Sequence, residues 1–184
     1  MSTETERTDL IAELAAARAA LVTTTNDLTD EQAGARPTVS ALCLGGLVKH
    51  VAAMEENWLR FAVDGPSTMR FALPDGVTWA DMAAGTAREY PQWAIDHQNE
   101  FAMQPGVTLA SVLARYEDVA KRSEDVIRTL ADLSVTHPLP DAPWNRPGTM
   151  WSARRAVLHV IAETAQHAGH ADLLRETLDG QKST

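Results

Sequence analysis

The chain has 184 residues, of which 45% are hydrophobic, and a formal net charge of −9 at pH 7. One domain over residues 1–184 with an ample core is therefore expected, and the acidity argues against a nucleic-acid partner or an anionic membrane, since both bind basic surfaces. The one cysteine, Cys43, excludes an intrachain disulfide and a CxxC site. With no signal pattern and no apolar run of about 18 residues, a cytoplasmic protein is predicted.

Apolar residues at alternating steps of three and four predict long helices with one inward face. The first is predicted over residues 8–26 and the second over residues 40–63. The third is predicted over residues 108–133. The last is predicted over residues 151–176, and Gly180 is expected to stop it.

Four long helices without a convincing strand signal predict an all-α fold, a four-helix bundle. Residues 67–106 form a long crossover that contains Trp79 and Trp93 among prolines and glycines, with short helices expected near Thr78 and Pro91. A crossover of this length indicates that the bundle is not a simple up-down-up-down arrangement. The segment is expected to fold over the bundle, as structural cover or as a lid or substrate wall.

The last helix has a second apolar side, formed by Leu158, Ile161, Ala162 and Ala165. A helix that is apolar on two sides needs cover on both of them. The crossover or another subunit has to supply that cover, so a homodimer is one of two predictions for this side of the helix.

Four potential metal ligands lie on the last helix: His159, Glu163, His167 and His170. Side chains four apart on a helix have Cβ atoms about 5–6 Å from each other, whereas positions eight apart are separated by about 12 Å along the axis. Glu163 can therefore share an ion with His167 or with His159, but all four residues cannot. His167 lies on the inward face with Glu163 at its edge, which predicts either a buried Glu–His hydrogen bond without metal or a ligand pair.

A third ligand is available on the second helix, where His50 lies on the inward face beside Leu47 and Met54. Taken alone, a histidine on an apolar face is more often a packing residue. Bundles, however, build metal sites from side chains of facing helices. Three protein ligands with one open position are typical of catalytic sites, and mixed imidazole and carboxylate ligands suit zinc, nickel or ferrous iron.

Two segments resemble a known family. Residues 44–51, read as LGGLVKHV and followed by Glu55 and Trp58, resemble the second-helix motif of the DinB/YfiT-like superfamily. Residues 158–176 of the last helix resemble a branch of that superfamily whose function is unknown. The length and helix order of the whole chain fit the family, whereas residues 67–106 carry little of the resemblance.

The resemblance implies a four-helix bundle with a divalent metal held by three residues, which here fall on His50, Glu163 and His167. Many members have histidine at both positions of the last helix. The glutamate form resembles the mycothiol-dependent maleylpyruvate isomerases, but these have an additional C-terminal domain, so their activity is not transferred. His170 is a candidate for orienting a ligand or relaying a proton, and His159 for packing or a hydrogen bond.

Several members of the superfamily are S-transferases or isomerases that use mycothiol or bacillithiol. The resemblance therefore implies a metal-dependent thiol S-transferase that acts on an electrophilic small molecule, with a zinc, nickel or iron ion and a thiol such as mycothiol. Two other functions stay open. One is a metal-dependent hydrolase with bound water as nucleophile, and the other is a non-catalytic, metal-binding or stress-associated bundle protein.

Overall fold

The computed structural model describes residues 3–182, which are mostly helical, so the predicted all-α fold class is confirmed. In chain order the elements are α1 (Thr3–Thr23), α2 (Asp30–Gly34), α3 (Leu44–Asp64), a 3-10 turn (Gly65–Thr68), α4 (Trp79–Ala84), α5 (Gln92–Glu100), α6 (Leu109–Thr129), β1 (Thr136–Pro138), β2 (Met150–Ser152) and α7 (Ala153–Asp179).

The four long helices α1, α3, α6 and α7 form the bundle. Helix α7 packs against α1 and α3, and α6 packs against α3 and α1. The order around the bundle is therefore α1, α7, α3, α6, and the first two long helices lie diagonally opposite each other. This arrangement is not a simple up-down-up-down bundle, in agreement with the expectation from the long crossover. It places α3 directly against α7, the two helices that carry the predicted ligands.

The predicted inward faces form the core. Leu14 and Leu21 of α1 are fully buried, as are Leu47, Val51 and Phe61 of α3. One ion pair lies among these apolar side chains, with the Arg18 guanidinium of α1 against the Glu55 carboxylate of α3 across the centre of the bundle.

A two-stranded ribbon precedes α7 and was not expected from the sequence. Strand β1 pairs antiparallel with β2, and His137 lies opposite Trp151. Each strand has only three residues, which is too short for the alternation by which a strand is recognised in a sequence. The ribbon leads into α7, whose first turn is capped by the Ser152 hydroxyl accepting from the Arg155 amide.

The crossover contains the two short helices that the sequence predicted. Helix α4 follows a capping box at Thr78, and α5 packs against α3. The indole N–H of Trp93 donates to the Ala72 carbonyl at 2.8 Å and ties α5 to the preceding chain. Among residues 3–182, no helix is long and apolar enough to cross a membrane.

Three of the four residues on the second apolar side of α7 are exposed, whereas Ile161 packs against the core. Leu158 is 50% exposed, and Ala162 and Ala165 are exposed as well. The crossover therefore does not cover this side, and the predicted homodimer stays a prediction.

Candidate metal centre and adjoining cavity

The packing of α3 against α7 brings His50 and His167 into contact. Their ring centroids are 5.0 Å apart, and the two rings meet edge to face at 80°. The His167 side chain is 13% exposed and that of Glu163, one turn earlier, is 32% exposed. His50 and His167 therefore meet between two long helices, with Glu163 one turn away, but among the described residues the ligand atoms of these three do not all lie within 4.8 Å of one another.

Neither ring nitrogen of His167 has a hydrogen-bond partner among the described residues. Its Nε2 atom is 3.7 Å from Oε2 of Glu163, beyond hydrogen-bond range, and its Nδ1 atom is buried without a partner. The buried Glu–His hydrogen bond that the sequence left open is therefore not formed. Burial lowers the pKa of His167, and the neighbouring His50 lowers it further. A neutral imidazole with unpaired nitrogens fits the donor requirement of a metal ion.

His50 has a second set of neighbours, supplied by α5 of the crossover. Its Nδ1 atom donates to Oε2 of Glu100 at 3.0 Å, and its ring stacks on Phe101 with centroids 4.1 Å apart. The same Glu100 oxygen lies 3.3 Å from Nδ1 of His97. His50, His97 and Glu100 offer ligand atoms within 4.8 Å of one another. Sequence analysis did not identify His97 or Glu100.

The shared carboxylate alters the ionisation of the groups around it. Burial acts to raise the pKa of Glu100, but hydrogen bonds from His50 and His97 outweigh it and leave that pKa below its ordinary value. The hydrogen bond that His97 donates to Glu100 in turn raises the pKa of His97, whose side chain is 57% exposed. Glu100 is therefore a carboxylate anion at neutral pH, held between two imidazoles.

Three residues of α3, Gly46, Lys49 and His50, hold the end of α5 in place. A Cβ atom on Gly46 would overlap the backbone of Phe101, so only glycine allows this close approach. The Lys49 ammonium donates to the carbonyls of Asn99 at 2.9 Å and Ala102 at 2.6 Å, which satisfies acceptors at the end of the helix. His50, one residue further, binds Glu100. The α3 motif at residues 44–51, which resembles the DinB/YfiT-like superfamily, therefore also holds the end of α5 against α3.

His159 is a packing residue in this structure. Its ring lies edge-on to Trp58 and Trp151, with centroid distances of 4.8 and 5.1 Å. Its Nδ1 atom is 4.0 Å from Oε1 of Glu163, which is too far for a hydrogen bond. Burial between the two indoles lowers the pKa of His159.

His170 is exposed on the next turn of α7. Its ring touches that of His167 edge-on, with centroids 5.5 Å apart. Of the candidate ligands, His170 therefore contacts His167.

A cavity of about 440 Å³ opens beside the histidines. His50, His97 and Glu100 form its polar end. His50 is thus common to the cavity and to the contact with His167. Six large apolar side chains form most of the remaining wall: Met54, Trp58, Met69, Phe71, Trp93 and Trp144. The crossover contributes half of these, so it forms part of the cavity wall, and the volume lies in the range usual for small-molecule sites.

A four-helix bundle whose second and last long helices meet at a cluster of histidines and carboxylates is typical of DinB-like proteins. The family model described as mycothiol S-transferase matches residues 9–180, and the chain belongs to this family. The resemblance noted in the sequence is therefore confirmed, and the family name denotes a transferase-type enzyme. A search of curated proteins finds no match to this chain.

Proposed function

We propose that this protein is a metal-dependent S-transferase that joins the thiol of mycothiol to an electrophilic small molecule. His50, Glu163 and His167 would hold the divalent ion, with zinc, nickel or ferrous iron as the candidates. The observation that carries the proposal is that both ring nitrogens of His167 lack a hydrogen-bond partner within the described part of the chain, while its ring contacts His50, which lines the cavity. Membership in the mycothiol S-transferase family supports mycothiol as the thiol and S-transfer as the reaction type.

Two sets of candidate ligands share His50: one adds Glu163 and His167, the other His97 and Glu100. They differ in the hydrogen bonds that their atoms already make. Glu100 accepts from both His50 and His97, so its nearer oxygen already has partners. His167 and Glu163, in contrast, lie 3.7 Å apart without a hydrogen bond, a separation that leaves both free to bind a cation. This favours the set on α3 and α7, with Glu100 as the residue that orients His50. Because Glu100 occupies Nδ1 of His50, the Nε2 atom is left for the metal.

A divalent cation bound there would lower the pKa of a coordinated thiol, so that the thiolate forms near neutral pH. In the transfer, the sulfur–carbon bond forms as the bond from carbon to the leaving group breaks, and the leaving group departs with the bonding electrons. The thiol proton passes to a nearby base or to water. We assign His170 to this role, since it is exposed and in contact with His167.

The proposed ligand set is tested by elemental analysis of the purified protein. His50→Ala, Glu163→Gln and His167→Ala should each lose the stoichiometric metal of the wild-type protein. Glu176→Gln is a matched control on the same helix, where Glu176 pairs only with the exposed Lys182 and metal content should not change. If Glu163→Gln keeps its metal while Glu100→Gln loses it, the ion is bound by the His50, His97 and Glu100 set instead.

The reaction is tested with mycothiol and monochlorobimane, after loading the protein with zinc or nickel. Conjugation followed by fluorescence should require both the metal and the thiol, and should be lost in His167→Ala. Consumption of a hydrolysable substrate in thiol-free buffer would instead indicate a metal-dependent hydrolase. Stoichiometric metal without turnover of any electrophile would leave a non-catalytic metal-binding protein.

A further inference from the structure

The outer wall of the cavity is a closed cluster of four aromatic side chains, Phe71, Trp79, Trp93 and Trp144. Each ring contacts two others: the centroid distances are 5.2 Å for Phe71 with Trp93 and with Trp144, 5.8 Å for Trp79 with Trp93, and 5.3 Å for Trp79 with Trp144. Phe71, Trp93 and Trp144 line the cavity, and Trp79 supports the last two from behind. The cluster joins the crossover to the loop between β1 and β2.

Helix α3 also contributes large apolar side chains to the cavity. Trp58 and Met54 of this helix line it, as does Met69 of the crossover. Thioethers and aromatic edges make favourable contacts with the face or edge of another ring. Away from the histidine end, Asn57, Thr68 and Arg70 are the polar lining residues.

Trp144 is the most exposed of the aromatic residues that line the cavity. Its side chain comes from the loop between the strands, and the residue is 60% exposed although its ring contacts Phe71 and Trp79. A large indole left open at the mouth of an apolar cavity marks a surface that a ligand can cover. A flat ring bound in this cavity would meet walls that include Phe71 and Trp144, and His50 lines the same cavity.

We propose that this cavity binds the electrophilic substrate, and that the substrate class is a flat aromatic electrophile; this assignment rests on the transferase function proposed above. With chlorodinitrobenzene as the probe, the thiolate sulfur bonds to the ring carbon that carries chlorine. The carbon–chlorine bond breaks, and chloride leaves with the bonding electrons. The thiol proton goes to a base or to water, so the products are the aryl thioether, chloride and a proton.

The test compares an aromatic with an aliphatic electrophile. With mycothiol as the thiol, kcat/KM is measured for chlorodinitrobenzene and for iodoacetamide in the wild-type protein and in Trp144→Ala. Loss of one aromatic contact should lower the ratio of the two kcat/KM values by about 3- to 10-fold. Tyr90→Ala removes an exposed aromatic residue of the crossover that does not line the cavity, and it should not change the ratio.

A ratio that is unchanged in Trp144→Ala overturns the assignment. A rise in the KM for mycothiol with no change in the KM for chlorodinitrobenzene also overturns it, because the wall would then hold the thiol. Calorimetry with dinitrobenzene, which has no leaving group, separates binding from reaction. Binding that is weakened by Trp144→Ala, without turnover of any electrophile, would support the aromatic site and reject the transferase. Turnover of electrophiles without binding of dinitrobenzene would support the transferase and reject the aromatic site.

Discussion

The Nδ1 atom of His50 and the Oε2 atom of Glu100 lie 3.0 Å apart, which joins the helix that carries a candidate metal ligand to a helix of the crossover. A carboxylate that accepts from one ring nitrogen of a histidine fixes the tautomer and the orientation of the ring. The other nitrogen of His50 is then presented in a defined direction. Glu100 is thus a positioning residue for His50 rather than one of the three proposed ligands.

Glu100→Gln should weaken metal binding without abolishing it. The glutamine oxygen can still accept from His50, but it lacks the negative charge, and such outer partners typically contribute about 10- to 100-fold in metal affinity. Titration with zinc against a competing chelator measures the change. Glu163→Gln is the matched comparison and should reduce affinity much further. Equal losses in the two variants would contradict the separate roles assigned to these carboxylates.

The candidate ligands on the long helices could be predicted because helical geometry is local. The spacing of Glu163 and His167 follows from the sequence, and the inward faces of two packed helices place His50 near His167. The location of His97 and Glu100 depends instead on how the crossover folds back, and no periodic pattern determines that. One signal was available: His97 and Glu100 share a helix face, and Gly45–Gly46 before His50 permits a close approach of another segment.

Gly46→Ala should displace the end of α5. The new methyl group would overlap the backbone of Phe101, and backbone cannot move aside as a flexible side chain does. Overpacking of this kind costs about 1–3 kcal/mol, which urea denaturation can measure. Glu100 should move away from His50 at the same time, so the variant should also bind zinc less tightly.

Gly169→Ala provides the control for that substitution. Gly169 lies inside α7 and is exposed. A Cβ atom added to it would meet no atom within 4 Å apart from its chain neighbours and the backbone of its own helix. Alanine there should stabilise the protein by up to about 1 kcal/mol through helix propensity alone. Stabilisation by Gly46→Ala to a similar extent would show that the contact between α3 and the end of α5 is not tight.

The pH dependence of stability should have opposite contributions from His159 and His97 in the metal-free protein. Burial lowers the pKa of His159, so below about pH 6.5 the unfolded chain binds a proton that the folded protein does not. Its contribution to stability is therefore lost as the pH falls. The pKa of His97 is raised by Glu100, so its contribution is present below that pH and lost as the pH rises through the raised pKa.

Urea denaturation between about pH 5 and pH 8 measures both contributions. His159→Phe should reduce the loss of stability toward acid, whereas His97→Gln should make that loss steeper. His167 keeps part of the acid dependence in either variant, because its pKa is also lowered by burial. Parallel stability curves for the two variants would be inconsistent with the opposite environments of these histidines.

The Arg18–Glu55 ion pair should be required for stability rather than for metal binding. Glu55 is fully buried, and Nε of Arg18 donates to its Oε2 at 3.0 Å. Arg18→Met would leave a buried carboxylate without its cation, a change that costs about 3–5 kcal/mol. Arg18→Met combined with Glu55→Leu removes both charges and should recover most of that loss.

The matched control for the core ion pair is Arg115→Met. Arg115 of α6 pairs with Glu56 of α3 at 3.0 Å, so this ion pair also joins two long helices, but the Arg115 side chain is 58% exposed. An exposed pair contributes about 0–1 kcal/mol, so urea denaturation should show little change. Because neither Arg18 nor Glu55 touches the histidine cluster, refolded Arg18→Met/Glu55→Leu should bind zinc as tightly as the wild-type protein. A double variant that folds but no longer binds zinc would instead place Glu55 in the metal site.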